Sequence, residues 1–194
     1  MRTVEEHQAV VAGLLAALPA EEVPLTAAAG RVVARDLPAL VSLPGFAGEL
    51  PVAPARRVAV VACMDSRMPL FPLLGLAVGD AHVIRNAGGV VTDDTIRSLT
   101  ISQHLLGTRE IVLVHHTDCG LQKTDDVAFA DLVEQATGVR PPWPARTFTD
   151  ADEDVRESIR LLQESPYLLS KDVCGTVYDV ATGRLRRVDP ADAS

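Results

Sequence analysis

The sequence is poor in cysteine, with three in 194 residues, and in lysine, with two against sixteen arginines. Three cysteines do not make a disulfide framework, and in a reducing compartment they read as metal ligands or free thiols. No CxxC pair occurs, which removes the usual structural Cys₄ or Cys₂His₂ zinc site. A basic stripe is also missing, and the formal net charge is −8. That argues against nucleic acid or an anionic membrane surface as the main partner. No apolar run reaches the length of a membrane span. Met1-Arg2 leads directly into Thr3-Val4-Glu5-Glu6 without a signal-peptide pattern, so a cytoplasmic protein is expected. Internal repeats are absent, as is low complexity beyond an alanine bias.

What is present suits a globular α/β protein. Nearly half the chain, 47%, is hydrophobic, too much for a disordered chain. The length suffices for one α/β domain, or a smaller domain with an arm. Thr3 to Glu6 fits a capping box, and Val10, Val11, Leu14, Leu15 and Leu18 follow at helical spacing up to Pro19. A second short helix is expected from Thr26 to about Arg35. Residues 36–57, with Pro38, Pro44, Pro51 and Pro54, read as an extended connection.

From Arg56 the texture changes. A valine-rich run over 57–62 reads as a strand buried on both faces. A short helical piece is expected near Pro69–Leu76, and a strand at Ala81–Arg85 that runs into Arg85-Asn86-Ala87-Gly88-Gly89. Asp93-Asp94 is expected to cap a helix that ends at Leu106, with Gly107 as its stop. A second buried strand covers Ile111–Val114. Helices follow at 125–137 and 150–164, the latter with Val155, Ile159 and Leu162 on one face. Gly175–Val180 and Leu185–Val188 read as a terminal hairpin. Strands alternating with helices point to an α/β sheet with a parallel core.

Both buried strands end in groups that bind metals. The first runs into Cys63-Met64-Asp65-Ser66-Arg67, the second into His115-His116-Thr117-Asp118-Cys119-Gly120. In an extended chain, residues at i, i+2 and i+4 share a side, so Cys63, Asp65 and Arg67 are expected to converge beyond the strand end. Open α/β sheets place their ligands there. Thiolate and imidazole together suit zinc, and three protein ligands leave the fourth tetrahedral position open, as catalytic sites do. Spacing alone does not choose between His115 and His116. The plainer alternative is that these are core cysteines and surface histidines unrelated to one another. Cys174, at the start of a predicted strand, reads as a buried structural thiol.

Three blocks together resemble the β-class carbonic anhydrases: Cys63-Met64-Asp65-Ser66-Arg67, Arg85-Asn86-Ala87-Gly88 and His116-Thr117-Asp118-Cys119-Gly120. The resemblance runs from about Gly45 to Val188. It implies an α/β fold of that family over residues 45–194, with a parallel core flanked by helices, preceded by an N-terminal helical arm over residues 1–44. It implies that Cys63, His116 and Cys119 hold a zinc ion, which selects His116 over His115. It implies reversible hydration of carbon dioxide to bicarbonate by a zinc-bound hydroxide, oriented by Asp65 with Arg67. Two thiolates make the metal a weaker Lewis acid than three histidines would, so the hydroxide form should need higher pH. At low pH the Asp65 carboxylate is expected to compete for the fourth position. A homodimer or higher homo-oligomer is expected.

Two alternatives accompany this reading. The same fold and metal serve carbonyl sulfide or carbon disulfide hydrolysis. Separately, Val4-Glu5-Glu6-His7, Val23-Pro24-Leu25, Gly30-Arg31-Val32 and Leu43-Pro44-Gly45-Phe46 are similar to the opening of molybdopterin molybdenumtransferases. That would make the chain a non-catalytic zinc scaffold fused to a molybdenum-cofactor enzyme fragment. Nothing that carries molybdenum chemistry follows Phe46.

Overall fold

A computed structural model describes residues 50–189. The expectations for the N-terminal arm, and the resemblance drawn on it, lie outside the described residues.

The valine-rich run forms strand β1 (Val58–Cys63), and a short helix, α1 (Leu70–Leu74), follows. Strand β2 (Ala81–Asn86) leads through a tight turn at Ala87–Gly89 into helix α2 (Asp93–Leu106). Strand β3 (Glu110–His116) is followed by a 3-10 turn at Gly120–Lys123 and helix α3 (Asp126–Thr137). Helix α4 (Ala151–Glu164) precedes the last two strands, β4 (Asp172–Tyr178) and β5 (Leu185–Val188).

The strands form one sheet in the order β2-β1-β3-β4-β5. The first three pairings are parallel and β5 runs antiparallel to β4. The expected parallel core and terminal hairpin are both there. β4 begins three residues earlier than expected, at Asp172, because its register with β3 starts at the pair Glu110 and Asp172. Parallel pairing over such a distance leaves no mark in the local pattern. The cap of α2 also differs. Thr92 accepts the Thr95 amide at 3.3 Å, while Asp93 and Asp94 occupy the first turn. There their charge favours the helix without capping it. Gly107 ends the helix in the left-handed conformation, as expected.

The two faces of the sheet are packed differently. On one, Ala59, Val61, Ile111, Leu113 and Val177 meet Leu99 of α2 and Val155, Ile159 and Leu162 of α4. The i, i+4 and i+7 spacing of the α4 residues puts them on one stripe, which explains their burial. On the other, Val60, Ala62 and Val114 meet Met68, Leu70, Leu121 and Phe148, which come from α1 and the loops. Helix α3 buries none of its residues. Cys174 is half-buried in β4 rather than fully buried. Among the described residues no helix is long and apolar enough to cross a membrane.

Close approach of α4 to the sheet depends on Gly175. A Cβ there would lie 2.3 Å from Val155 Cγ1 and 2.9 Å from Ile159 Cδ1. Both are branched side chains already fixed in the core, so neither can swing aside. Gly175→Ala is therefore expected to destabilise the fold by about 1–3 kcal/mol, measured as a lowered midpoint of chemical unfolding with an unchanged slope.

Candidate metal centre

β1 and β3 are neighbours and end together. Ala62 pairs with Val114, so Cys63 closes one strand beside the histidine pair that closes the other. The chain after β3 then turns sharply. Thr117 donates a last rung to the Tyr178 carbonyl at 2.9 Å, and Asp118 adopts a left-handed conformation, φ +57°. This reversal brings Cys119 back to the strand ends, where its amide donates to Gln122 Oε1 at 3.2 Å. From below, Gly89 packs against β1. A Cβ there would lie 2.8 Å from the Cys63 amide nitrogen, and its φ of +74° also favours glycine.

The ligating atoms of Cys63, His116 and Cys119 lie within 4.8 Å of one another. The three residues are 4%, 1% and 2% exposed. Zinc bonds of about 2.0–2.3 Å at tetrahedral angles need donor separations of this order. The ring of His116 is oriented for a metal. Its Nδ1 lies 2.8 Å from the Thr117 carbonyl, which takes a proton at that nitrogen and leaves Nε2 with a bare lone pair. That Nε2 is buried without a hydrogen-bond partner. An orphaned buried acceptor is costly, and a cation between it and the two sulfurs removes the cost. The donor set therefore fits zinc.

The three donors shift one another's protonation. A hydrogen bond from Cys119 holds the Cys63 thiol well below its ordinary pKa, against the opposing effect of burial. Cys119, which supplies that bond and is itself buried, is pushed up. Burial disfavours a charged His116 ring, but the Cys63 sulfur and the Thr117 carbonyl outweigh it and raise the histidine pKa. A divalent cation would reverse this logic and strip both thiols.

Asp65 and Arg67 do converge on this site, but by a different route from the one expected. β1 stops at Cys63, and the chain turns instead of continuing extended. Asp65 Oδ1 accepts the Arg67 amide at 2.8 Å, closing a small side-chain-to-backbone turn. The Arg67 guanidinium then grips the same carboxylate, with Nε 3.0 Å from Oδ1 and NH2 2.8 Å from Oδ2. These bonds, the side-chain ones first, hold Asp65 well below the usual carboxylate range. Asp65 Oδ2 is 3.7 Å from His116 Nε2, at the edge of the trio.

The other histidines among the described residues take ordinary places. His115 points to the opposite face of the sheet, fully buried, with Nε2 2.6 Å from Asp154 Oδ2 at the start of α4. His82 pairs with Ser102, and His104 with the Tyr167 carbonyl. Sequence reasoning gave Arg85 no role. Its Nε donates to the Cys63 carbonyl at 3.0 Å and its NH2 to the Asp65 carbonyl at 2.7 Å. It thus clamps the backbone on both sides of Met64. The signals were its place in the Arg85-Asn86-Ala87-Gly88 block and at the end of β2, whose parallel register puts it beside Ala62; neither names what it holds. The contacts of Asp118 were missed as well, because nothing local marks a residue that acts 51 positions away.

Comparison with known proteins agrees with this geometry. The carbonic anhydrase family model matches residues 58–137. β-Carbonic anhydrase 1 of Mycobacterium tuberculosis is 52% identical over 147 residues, covering 75% of this chain and 90% of that protein. A carbon disulfide hydrolase of Acidithiobacillus thiooxidans is 37% identical over 154 residues, covering 68% of this chain and 76% of that one. Among solved structures, a carbonic anhydrase from Streptococcus mutans superposes with a TM-score of 0.70 at 51% identity, covering 72% of this chain and 86% of that chain. With these strands, these three buried donors and this degree of identity over three quarters of its length, the chain belongs to the β-carbonic anhydrase family.

Proposed function

We propose that the protein is a zinc-dependent carbonic anhydrase that interconverts carbon dioxide and bicarbonate. The observation that carries this reading is the partnerless, buried His116 Nε2 set among two cysteine sulfurs, with the Arg67-held carboxylate of Asp65 beside it. Cys63 Sγ, His116 Nε2 and Cys119 Sγ would hold the zinc and leave one position open. Zinc in such a site lowers the pKa of a coordinated water and supplies hydroxide near neutral pH for attack on carbon dioxide.

The chain's own groups do the rest. Asp65 stays ionised through the working range because Arg67 holds its pKa down. As an acceptor, its carboxylate takes the proton side of the nucleophile and turns a lone pair toward the incoming carbon. Arg67 keeps that carboxylate aimed, through paired charge-assisted bonds. Burial of all three donors keeps bulk water from competing for the metal. The two ligand thiols suit a reducing compartment, which favours the cytoplasm. Exposed Val127, Leu132, Val139 and Trp143, on and just after α3, suit contact with a second copy in a homodimer or larger homo-oligomer.

A second reading is hydrolysis of carbon disulfide or carbonyl sulfide at the same site, favoured by relatives named for carbon disulfide at 37% identity. Parallel assays on one metal-loaded preparation decide between them. Carbon dioxide hydration by stopped flow should exceed carbon disulfide turnover. The opposite ranking would overturn the first reading.

Metal analysis should find about one zinc per chain. Cys63→Ser, His116→Ala and Cys119→Ser should each lose metal and activity together, while Cys174→Ser keeps both. Full zinc content in the first three would refute the ligand set. Asp65→Asn should keep its zinc and lose about 10- to 100-fold in rate, since the amide is a poorer acceptor and carries no charge for Arg67. Wild-type activity should rise with pH from neutral to alkaline. Asp65 is already ionised there, so the rise would report the coordinated water losing its proton. A flat profile would remove the hydroxide from the mechanism.

A further inference from the structure

Arg67 uses two sides of its guanidinium. One faces Asp65. The other faces Asp118, with NH1 2.8 Å from Oδ2 and NH2 3.0 Å from the backbone oxygen. Asp118 Oδ1 is in turn 2.7 Å from Lys123 Nζ, so charge alternates along Asp65, Arg67, Asp118 and Lys123. Lys123, ahead of Arg67, holds the Asp118 carboxyl down at about 2.

Asp118 lies between the donors His116 and Cys119, and its φ of +57° is uncommon for a residue other than glycine. Aspartate tolerates this conformation better than most. The conformation is matched to the contact, because the carbonyl and the carboxylate of the same residue both reach Arg67. Arg67 therefore ties the loop after β1 to the loop after β3, and each loop carries a proposed ligand.

This tie bears on where Asp65 rests. Its Oδ2 is 3.7 Å from His116 Nε2, so a modest rotation would carry it into the coordination sphere. The Asp65 side chain is mostly covered, whereas the Arg67 end of the pair reaches solvent and is free to shift with it. Arg67 is half-exposed. The Arg67 amide restrains Asp65 from the backbone side, and Asp118 gives the guanidinium itself a second fixed point.

We propose that Asp118, braced by Lys123, is a positioning residue that anchors Arg67 and so keeps Asp65 off the metal and available to the substrate water. The proposal rests on the reading above that the trio holds zinc with Asp65 beside it. Removal of the anchor lets the Asp65–Arg67 pair drift inward, where the carboxylate closes the fourth position.

The test uses the full chain loaded with Co²⁺ in place of zinc, with azide titrated against the visible spectrum to report access to the fourth position. Asp118→Gly accepts the left-handed backbone but lacks the carboxylate. Asp118→Asn accepts it and keeps one side-chain acceptor. Asp118→Gly should hold metal normally, bind azide about tenfold more weakly and lose about tenfold in kcat with little change in KM. Asp118→Asn should fall between it and the wild type. Adding Asp65→Ala to Asp118→Gly should restore azide binding, because the competing carboxylate is gone. Wild-type azide affinity in Asp118→Gly, failure of Asp65→Ala to restore it, or loss of metal from both Asp118 variants would each overturn the proposal. A wild type that hydrates no carbon dioxide yet shows the expected azide pattern would refute the activity and leave the positioning role standing.

Discussion

The parallel pairing of β1 with β3 is the constraint on which the rest depends. Two strands running the same way, in a register that sets Ala62 against Val114, must end at the same level. Donors on their last residues are then neighbours without further adjustment. An antiparallel pair would have placed Cys63 and His116 at opposite edges of the sheet. Helices on one face, and α1 with loops on the other, cover the sheet, so the donors meet where the protein is dry but the chain has just become free to turn. Cys119 arrives by that freedom, through a reversal at Asp118 that a strand could not make.

Around this meeting point the backbone is held from several sides. Arg85 fixes the carbonyls of Cys63 and Asp65, Gly89 lies under the Cys63 amide, and Gln122 takes the Cys119 amide. The Arg85 and Gln122 contacts satisfy polar groups at the strand ends, while Gly89 lets its turn approach β1 closely. Satisfaction of the backbone and placement of the donors are therefore the same event. Of the three zinc donors, the His116 ring keeps Nε2 without a hydrogen-bond partner, set beside the two sulfurs.

The sequence made the strands that carry the donors readable because they are short, valine-rich and bounded by turn residues. Val58–Cys63 and the core of β3 need no tertiary information to be seen. The helix stops at Gly107 and the stripe of α4 were equally plain. The cap of α2 was displaced by one residue, since Thr92 and Asp93 are both good caps and only the fold decides which is outside the helix. The first three residues of β4 were invisible because Asp172-Val173-Cys174 pairs with a strand 62 residues earlier. At the site, Cys63, Asp65, Arg67, His116 and Cys119 could be named from spacing and family resemblance. The cause of their convergence could not. Alternation along an extended strand predicted that Arg67 shares a side with Asp65, whereas a hydrogen-bonded turn brings them together. Arg85 and Asp118 stood inside the blocks that carry the resemblance, but their contacts were not legible because both act on residues far away in sequence.

One detail of β3 has a mechanical consequence. His115 and His116 are adjacent, and each is fully packed, one against Asp154 of α4 and the other toward the two cysteines on the opposite face. The end of the strand is thus riveted through the thickness of the sheet. Rotation of the His116 ring about the strand axis would have to drag His115 through the α4 side of the core. Compliance at the site is consequently unequal: the histidine is the fixed jaw, and the cysteine loops are what can give. Evolutionary adjustment of the site, or strain imposed by a larger ion, should be absorbed at residues 117–119 and 64–67 before it reaches the strand.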